Sequence, residues 1–179
     1  VRLLLHVCCA PDATVALEKL PATERLRLWF DNPNIHPVEE YARRVEALLK
    51  LACRTNSDYE IGPYDPASWS TAVTGHEDDP EGGERCRLCI AFRLERTARR
   101  AVEAGFDVIG TVLTTSPHKK SAIIHELGER ISREQGLAYL AEDFKKKDGF
   151  KRSVELSRQY GIYRQNYCGC VYSKRREIG

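Results

Sequence analysis

Short apolar runs alternate with longer stretches of helical periodicity along this chain, and that alternation constrains the fold more than any other feature. Leu3 to Val7 reads as a buried strand. Pro11 suits the first turn of a helix reaching about Leu20. Leu26 to Phe30 reads as a second strand. Pro37 then opens a helix whose apolar positions Val38, Tyr41, Val45, Leu48, Leu49 and Ala52 recur at helical spacing. Tyr59 to Ile61 is a third, short strand. Gly62 to Glu84, rich in Pro, Gly and Asp, reads as an irregular loop with one helical turn near Trp69. A helix from about Cys86 has Gly105 just past its end. Phe106 to Leu113 is a fourth strand, Lys119 to Glu134 a helix, Leu137 to Leu140 a fifth strand, and Phe150 to Tyr160 a last helix closed by Gly161.

Strands that alternate with helices imply a parallel sheet covered on both faces. The fold expected is α/β, a three-layer Rossmann-like (adenine nucleotide alpha hydrolase-like) sheet of about five strands in the order 3-2-1-4-5. The 179 residues suffice for one α/β domain spanning 1–179 with a real core. Ligands in such sheets bind beyond the carboxyl ends of the strands. Cys8-Cys9, Asp31-Asn32-Pro33-Asn34 and Thr114-Thr115-Ser116-Pro117-His118 each follow a strand and would share one rim.

Six of the seven cysteines fall into three tight pairs, Cys8-Cys9, Cys86-x-x-Cys89 and Cys168-Gly-Cys170. The only early apolar run, Leu3-Leu4-Leu5, is too short for a signal-peptide core or a membrane span. The expectation is therefore a cytoplasmic protein with reduced thiols and no membrane partner, whose paired cysteines hold metal or do redox chemistry. Four thiolates complete one ordinary site. Six, with Asp12 close to the first pair, exceed what a structural site needs. Each pair also has a bland reading. Cys8 and Cys9 can be buried small hydrophobes with Asp12 as a helix-start carboxylate. Cys86-x-x-Cys89 is a common half-site for zinc or iron–sulfur, at a helix start that favours thiolate. Cys168 and Cys170 can bind metal, cycle to a disulfide or be unrelated thiols. Cys53, alone in the apolar part of a helix, reads as core packing.

Phosphate and dinucleotide loops are absent: there is no G-x-x-x-x-G-K-[ST] and no G-x-G-x-x-G. The histidines form no H-E-x-x-H pair, although His118 on the expected rim can donate a proton. The net charge is +2, but Lys145-Lys146-Lys147, Lys151-Arg152 and Lys174-Arg175-Arg176 concentrate positive charge late in the chain. Such a patch can neutralise phosphates or simply be solvated. Tyr163-Arg164-Gln165-Asn166-Tyr167 can stack on and read an unpaired base, or be packing tyrosines beside a structural arginine.

The motifs Leu5-His6-Val7-Cys8-Cys9-Ala10-Pro11, Asn32-Pro33-Asn34-Ile35-His36-Pro37, Glu81-Gly82-Gly83-Glu84-Arg85-Cys86-x-x-Cys89, Thr115-Ser116-Pro117-His118-Lys119, Asp143-Phe144-Lys145-Lys146-Lys147-Asp148-Gly149 and Tyr163 to Cys170 together resemble the cobalamin-independent epoxyqueuosine reductases, the QueH family. One departure is Asp12, where many members carry a further cysteine; an oxygen ligand is harder than a thiolate. The resemblance implies reduction of epoxyqueuosine to queuosine at the wobble position of tRNA, with an external electron donor and no cobalamin. It implies a [4Fe-4S] cluster on Cys8, Cys9, Cys86 and Cys89 beside a mononuclear iron. Asp12, Cys168 and Cys170 are then expected to hold that second metal, the Cys-Gly-Cys segment closing the site. Cys168, Cys170, Asp12 and His118 are the expected catalytic groups. Two other classes remain open on the residues: a structural zinc module that grips RNA, and a metal-free thiol oxidoreductase. A nucleotide-dependent tRNA ligase or thiolase on a similar sheet fits poorly without the phosphate loop.

Overall fold

A computed structural model describes residues 1–21 and 23–177, the last three of them by backbone alone. Five parallel strands form one sheet in the order β3-β2-β1-β4-β5. They are β1 Arg2–His6, β2 Arg25–Phe30, β3 Asp58–Ile61, β4 Val108–Thr111 and β5 Ala138–Tyr139. The helices are α1 Ala10–Lys19, α2 Val38–Thr55, α3 Pro66–Ala72, α4 Glu84–Ala104, α5 Ser121–Glu134, α6 Gly149–Tyr160 and α7 Val171–Glu177. The strand order and two-sided cover agree with the sequence expectation. No helix among the described residues is long and apolar enough to cross a membrane.

Strand β1 is central, and its side chains divide the core by simple alternation. Leu3 and Leu5 join Leu28, Phe30, Leu48 and Leu51 on one face. Leu4 joins Trp29, Ile109, Leu94 and Leu127 on the other. All three leucines of β1 are at most 2% exposed. Each fully buried leucine contributes about 1.5–3 kcal/mol of transfer free energy, so the strand that carries Cys8 and Cys9 on its end is also the most deeply anchored.

Local chemistry sets where elements stop, and here the structure departs from expectation. The fourth strand ends at Thr111, because the Thr111 hydroxyl accepts the Leu113 amide at 3.2 Å and starts a 3₁₀ turn over Val112–Thr115. Glycines end two helices as expected: Gly105 (φ 71°) after α4 and Gly161 (φ 62°) after α6. The expected single turn near Trp69 is the seven-residue α3, capped by the Asp65 carboxylate accepting from Ser68 N. Helix α7 was not anticipated. Cys53 is exposed, against the expectation of core packing. The buried face of α2 runs through Glu40, Arg44, Ala47, Leu48, Leu51 and Ala52, which turns Cys53, Val38 and Leu49 outward. Two polar residues occupy that face, so apolar periodicity alone misassigned it.

The segment between β5 and α6 folds back on the rim after β4. Thr114 Oγ1 donates to the Glu142 carbonyl (2.8 Å), and Lys145 Nζ donates to the carbonyls of Lys119 (2.6 Å) and Ser116 (3.3 Å). Gly149 permits the return: a Cβ there would lie 1.7 Å from the Phe144 carbonyl oxygen. Backbone cannot yield as a flexible side chain can. Gly149→Ala is therefore expected to destabilise the fold by more than about 2 kcal/mol, read as a lowered urea midpoint; an unchanged midpoint would contradict this packing.

Candidate metal centre

The first strand delivers two sulfurs to the carboxyl rim. Asn32 braces the turn, its Nδ2 donating to the Val7 carbonyl at 2.8 Å, and its Oδ1 lies 3.2 Å from His6 Nε2. His6 is fully buried, also contacts Thr111 Oγ1 at 2.9 Å, and is pushed down to about 3 by burial and by nearby Arg93. It stays neutral and ties three strand ends together. The backbone is extended at Cys9, then enters α1 with Pro11 in its first turn. Asp12 thus returns toward Cys8 one turn later. Cys8 Sγ lies 4.0 Å from Cys9 Sγ and 3.6 Å from Asp12 Oδ2, and the three ligand atoms fall within 4.8 Å of one another. A tetrahedral ion with metal–sulfur bonds of about 2.3 Å has ligand atoms roughly 3.8 Å apart. The trio therefore has the spacing of a single-ion site. Thiolates of an iron–sulfur cluster bind different irons and stand wider apart.

The second pair sits on the first turns of α4. Cys86 and Cys89 are three residues apart and share a face, and Gly82 N donates to Cys86 Sγ at 3.2 Å. Arg85, 1% exposed, ties the Asp-rich segment to this helix start by donating to the carbonyls of Glu77 (3.0 Å) and Asp79 (2.5 Å). Trp69, Val73, Cys89 and Cys170 form a small apolar cluster behind the pair.

The third pair lies on a loop held by α2. Arg44 Nη1 donates to the Cys168 carbonyl (2.9 Å) and Nη2 to the Tyr167 carbonyl (3.0 Å), while its Nε pairs with Glu40 (2.8 Å). His36 N donates to the Gly169 carbonyl at 2.7 Å. Both members of the Arg44–Glu40 pair are buried, so the pair is worth having only because every polar atom is satisfied. Cys170 Sγ accepts from Ser173 N at 3.4 Å, at the start of α7.

These elements bring all eight expected site residues around two adjoining cavities. The larger, about 690 Å³, is lined by Cys8, Cys9, Asp12, His118 and Cys168 among others. The smaller, about 230 Å³, is lined by Cys86, Cys89, Cys168, Cys170 and His118. Arg93, Lys119 and Glu81 face both. Sequence reasoning did not single out Arg93 or Lys119. The signal for Arg93 was its position seven residues after Cys86 and four after Cys89, on the same helical face.

Electrostatics explain why those cations are there. Burial pushes the Cys89 and Cys86 thiols up. Cys8 is raised first by its contact with Cys9, then by burial, and the Asp12 carboxyl is raised by burial. Bare anions are thus disfavoured, as expected where a metal displaces the protons. Cys168 runs the other way, held low foremost by Lys119, whose Nζ is 3.8 Å from its sulfur. Burial opposes the charge on Arg93, but Cys89, Cys168, Cys8 and Cys86 more than offset it.

The smaller cavity also carries donors without acceptors. Trp69 Nε1 and Arg85 Nε and Nη2 are buried with no hydrogen-bond partner among the described residues. Three buried N–H groups beside four cysteines fit an anionic inorganic centre, which would accept from them. The hydroxyls of the Tyr163–Tyr167 segment are engaged within the fold: Tyr163 OH donates to Glu40 and Tyr167 OH to the His36 carbonyl. Gly169 adopts φ +119°, and a Cβ there would lie 3.0 Å from Arg44 Nη1. Gly169→Ala is therefore expected to displace the loop and cut metal content after anaerobic loading by about two-fold or more, with far-UV circular dichroism unchanged. Full loading would refute the loop's role.

Comparison with known proteins places the chain in a family. The family model described as "Epoxyqueuosine reductase QueH" matches residues 3–176. The chain is 42% identical to the epoxyqueuosine reductase QueH of Streptococcus pyogenes serotype M1, covering 98% of this chain and 71% of that protein. It is 40% identical to the one from Thermotoga maritima, covering 97% and 92%. Among solved structures it resembles the U34-tRNA thiolase NcsA from Methanococcus maripaludis with its [4Fe-4S] cluster, with a TM-score of 0.57 and 11% identity. That likeness covers 98% of this chain and 62% of the thiolase, and it shows the shared fold.

Proposed function

This chain belongs to the epoxyqueuosine reductase QueH family, and we propose that it divides its metals between a [4Fe-4S] cluster on Cys86, Cys89, Cys168 and Cys170 and a single ion on Cys8, Cys9 and Asp12. As a family member it is an oxidoreductase that converts epoxyqueuosine to queuosine at the wobble position of tRNA. The observation that carries the proposed division is the tight Cys8–Cys9–Asp12 trio, with the other four cysteines around a separate cavity. It differs from the expectation that paired Cys8 and Cys9 with Cys86 and Cys89.

The reaction removes one oxygen from an epoxide. Two electrons and two protons enter, both C–O bonds break, a C=C bond forms and the oxygen leaves as water. When bound, the two metal groups supply electrons singly and a Lewis-acid position for the epoxide oxygen. The chain's own residues do the rest. Arg93 and Lys119 offset the negative charge of the buried ligands, and both face the two cavities at once. His118 and Glu81, on the shared wall, are positioned to relay protons. Arg44 and His36 hold the Cys168–Cys170 loop shut over the smaller cavity. An external donor supplies the electrons, and a reducing cytoplasm suits the free thiols.

Metal analysis and visible spectra after anaerobic reconstitution test the division. Asp12→Ala is expected to lose about one iron per chain while retaining cluster absorbance, whereas Cys170→Ala loses most of that absorbance. Identical metal loss in both variants would defeat it. Lys119→Gln is expected to retain its metal and slow turnover about 10- to 100-fold, as removal of one preorganised charged donor does; wild-type rates would show the ammonium to be a bystander.

A further inference from the structure

Of the large apolar side chains that are exposed among the described residues, only Phe150 lines the cavity that holds Cys8, Cys9 and Asp12. A lone exposed ring elsewhere on a surface needs no explanation. One on the wall of a reactive cavity does. Phe150 is the second residue of α6 and is 36% exposed as a residue. The Arg164 guanidinium lies over that ring, 5.6 Å from its centroid, and also lines the cavity. Tyr167, the other aromatic of the cavity, is engaged otherwise: its hydroxyl is bonded to His36, and Arg44 and Lys174 lie over its ring.

We propose that Phe150, backed by Arg164, is the platform on which an unpaired RNA base adjacent to the modified nucleoside stacks. The inference rests on the reading of this chain as a tRNA-modifying reductase and adds a specificity-determining residue to it. Unpaired loop bases are recognised by stacking on aromatic rings and arginine planes, and a positive surface tracks the backbone beside them. Both parts are present. The ring and guanidinium line the cavity, and Lys146, Lys147 and Lys151 are exposed alongside Phe150 in sequence. The reacting nucleoside enters the cavity, and its neighbour remains outside against the ring. The Phe150 and Arg164 pair so holds the nucleoside's register with respect to Asp12 without touching the reacting atoms.

The test uses the anaerobically loaded protein and anticodon stem-loop hairpins carrying 2-aminopurine immediately 5′ or immediately 3′ of the wobble position. Fluorescence and anisotropy are read together. The wild type is expected to quench one of the two probes. Phe150→Ala is expected to abolish that quenching and weaken hairpin binding about ten-fold or more, with its far-UV circular dichroism and metal content unchanged. Phe150→Tyr is expected to restore both. Tight binding and equal quenching by Phe150→Ala would overturn the platform while leaving the reductase reading intact. A wild type that binds neither hairpin would overturn both together.

Discussion

Keeping several sulfur anions inside protein is the constraint on which this architecture turns. Desolvation works against a buried thiolate: Cys8, Cys86 and Cys89 lie in surroundings that disfavour the charged form, and Cys168 escapes this foremost through Lys119, with Arg93 and Arg44. The chain answers with buried cations. Arg93 is 3% exposed and interacts with cysteines from all three pairs. Lys119 bridges Cys168 to the Cys8 and Asp12 side. Each cation would itself be unfavourable if buried alone. Thiols, arginine and lysine are therefore mutually dependent.

The scaffold gives this charged cluster rigid supports. Cys8 and Cys9 extend from the most buried strand, and Asp12 and Cys86/Cys89 stand on the first turns of α1 and α4. Cys8 and Cys9 lie in the short turn between β1 and α1, whereas the Cys168-Gly-Cys170 pair is on a longer loop that is clamped by Arg44, His36 and Tyr167. Sites built on regular elements are positioned more closely than sites on loops. The Arg44–Glu40 pair supplies the missing rigidity from the inner face of α2.

Much of the fold was readable because its cues are local. Alternating apolar runs, Gly105 and Gly161 marked most elements, and cysteine spacing marked the centre. The readings that changed are those where a long-range contact overrides local pattern. Thr111 ended β4 early by bonding to Leu113. Arg44 and Glu40 took core positions on α2, so that Cys53 faces outward. Arg93, which no local motif singles out, is 3% exposed and lies among cysteines of all three pairs. Phe150, expected only as the start of the last helix, lines the cavity that holds Cys8, Cys9 and Asp12.

The order of residues by itself determined most element types, the parallel sheet and which cysteines are candidates to hold metal, because these depend on periodicity, turn chemistry and side-chain type within a few residues. Which sulfurs share a site is a different kind of quantity. Cys8 and Asp12 are four residues apart, but Cys86 and Cys170 are separated by 84 residues, nearly half of the chain's length. Only the tertiary structure decided that the first group lies within single-ion distance while the other four cysteines surround a second cavity. Distances of a few ångströms between remote segments follow from how helices pack on the sheet, and no local pattern encodes them.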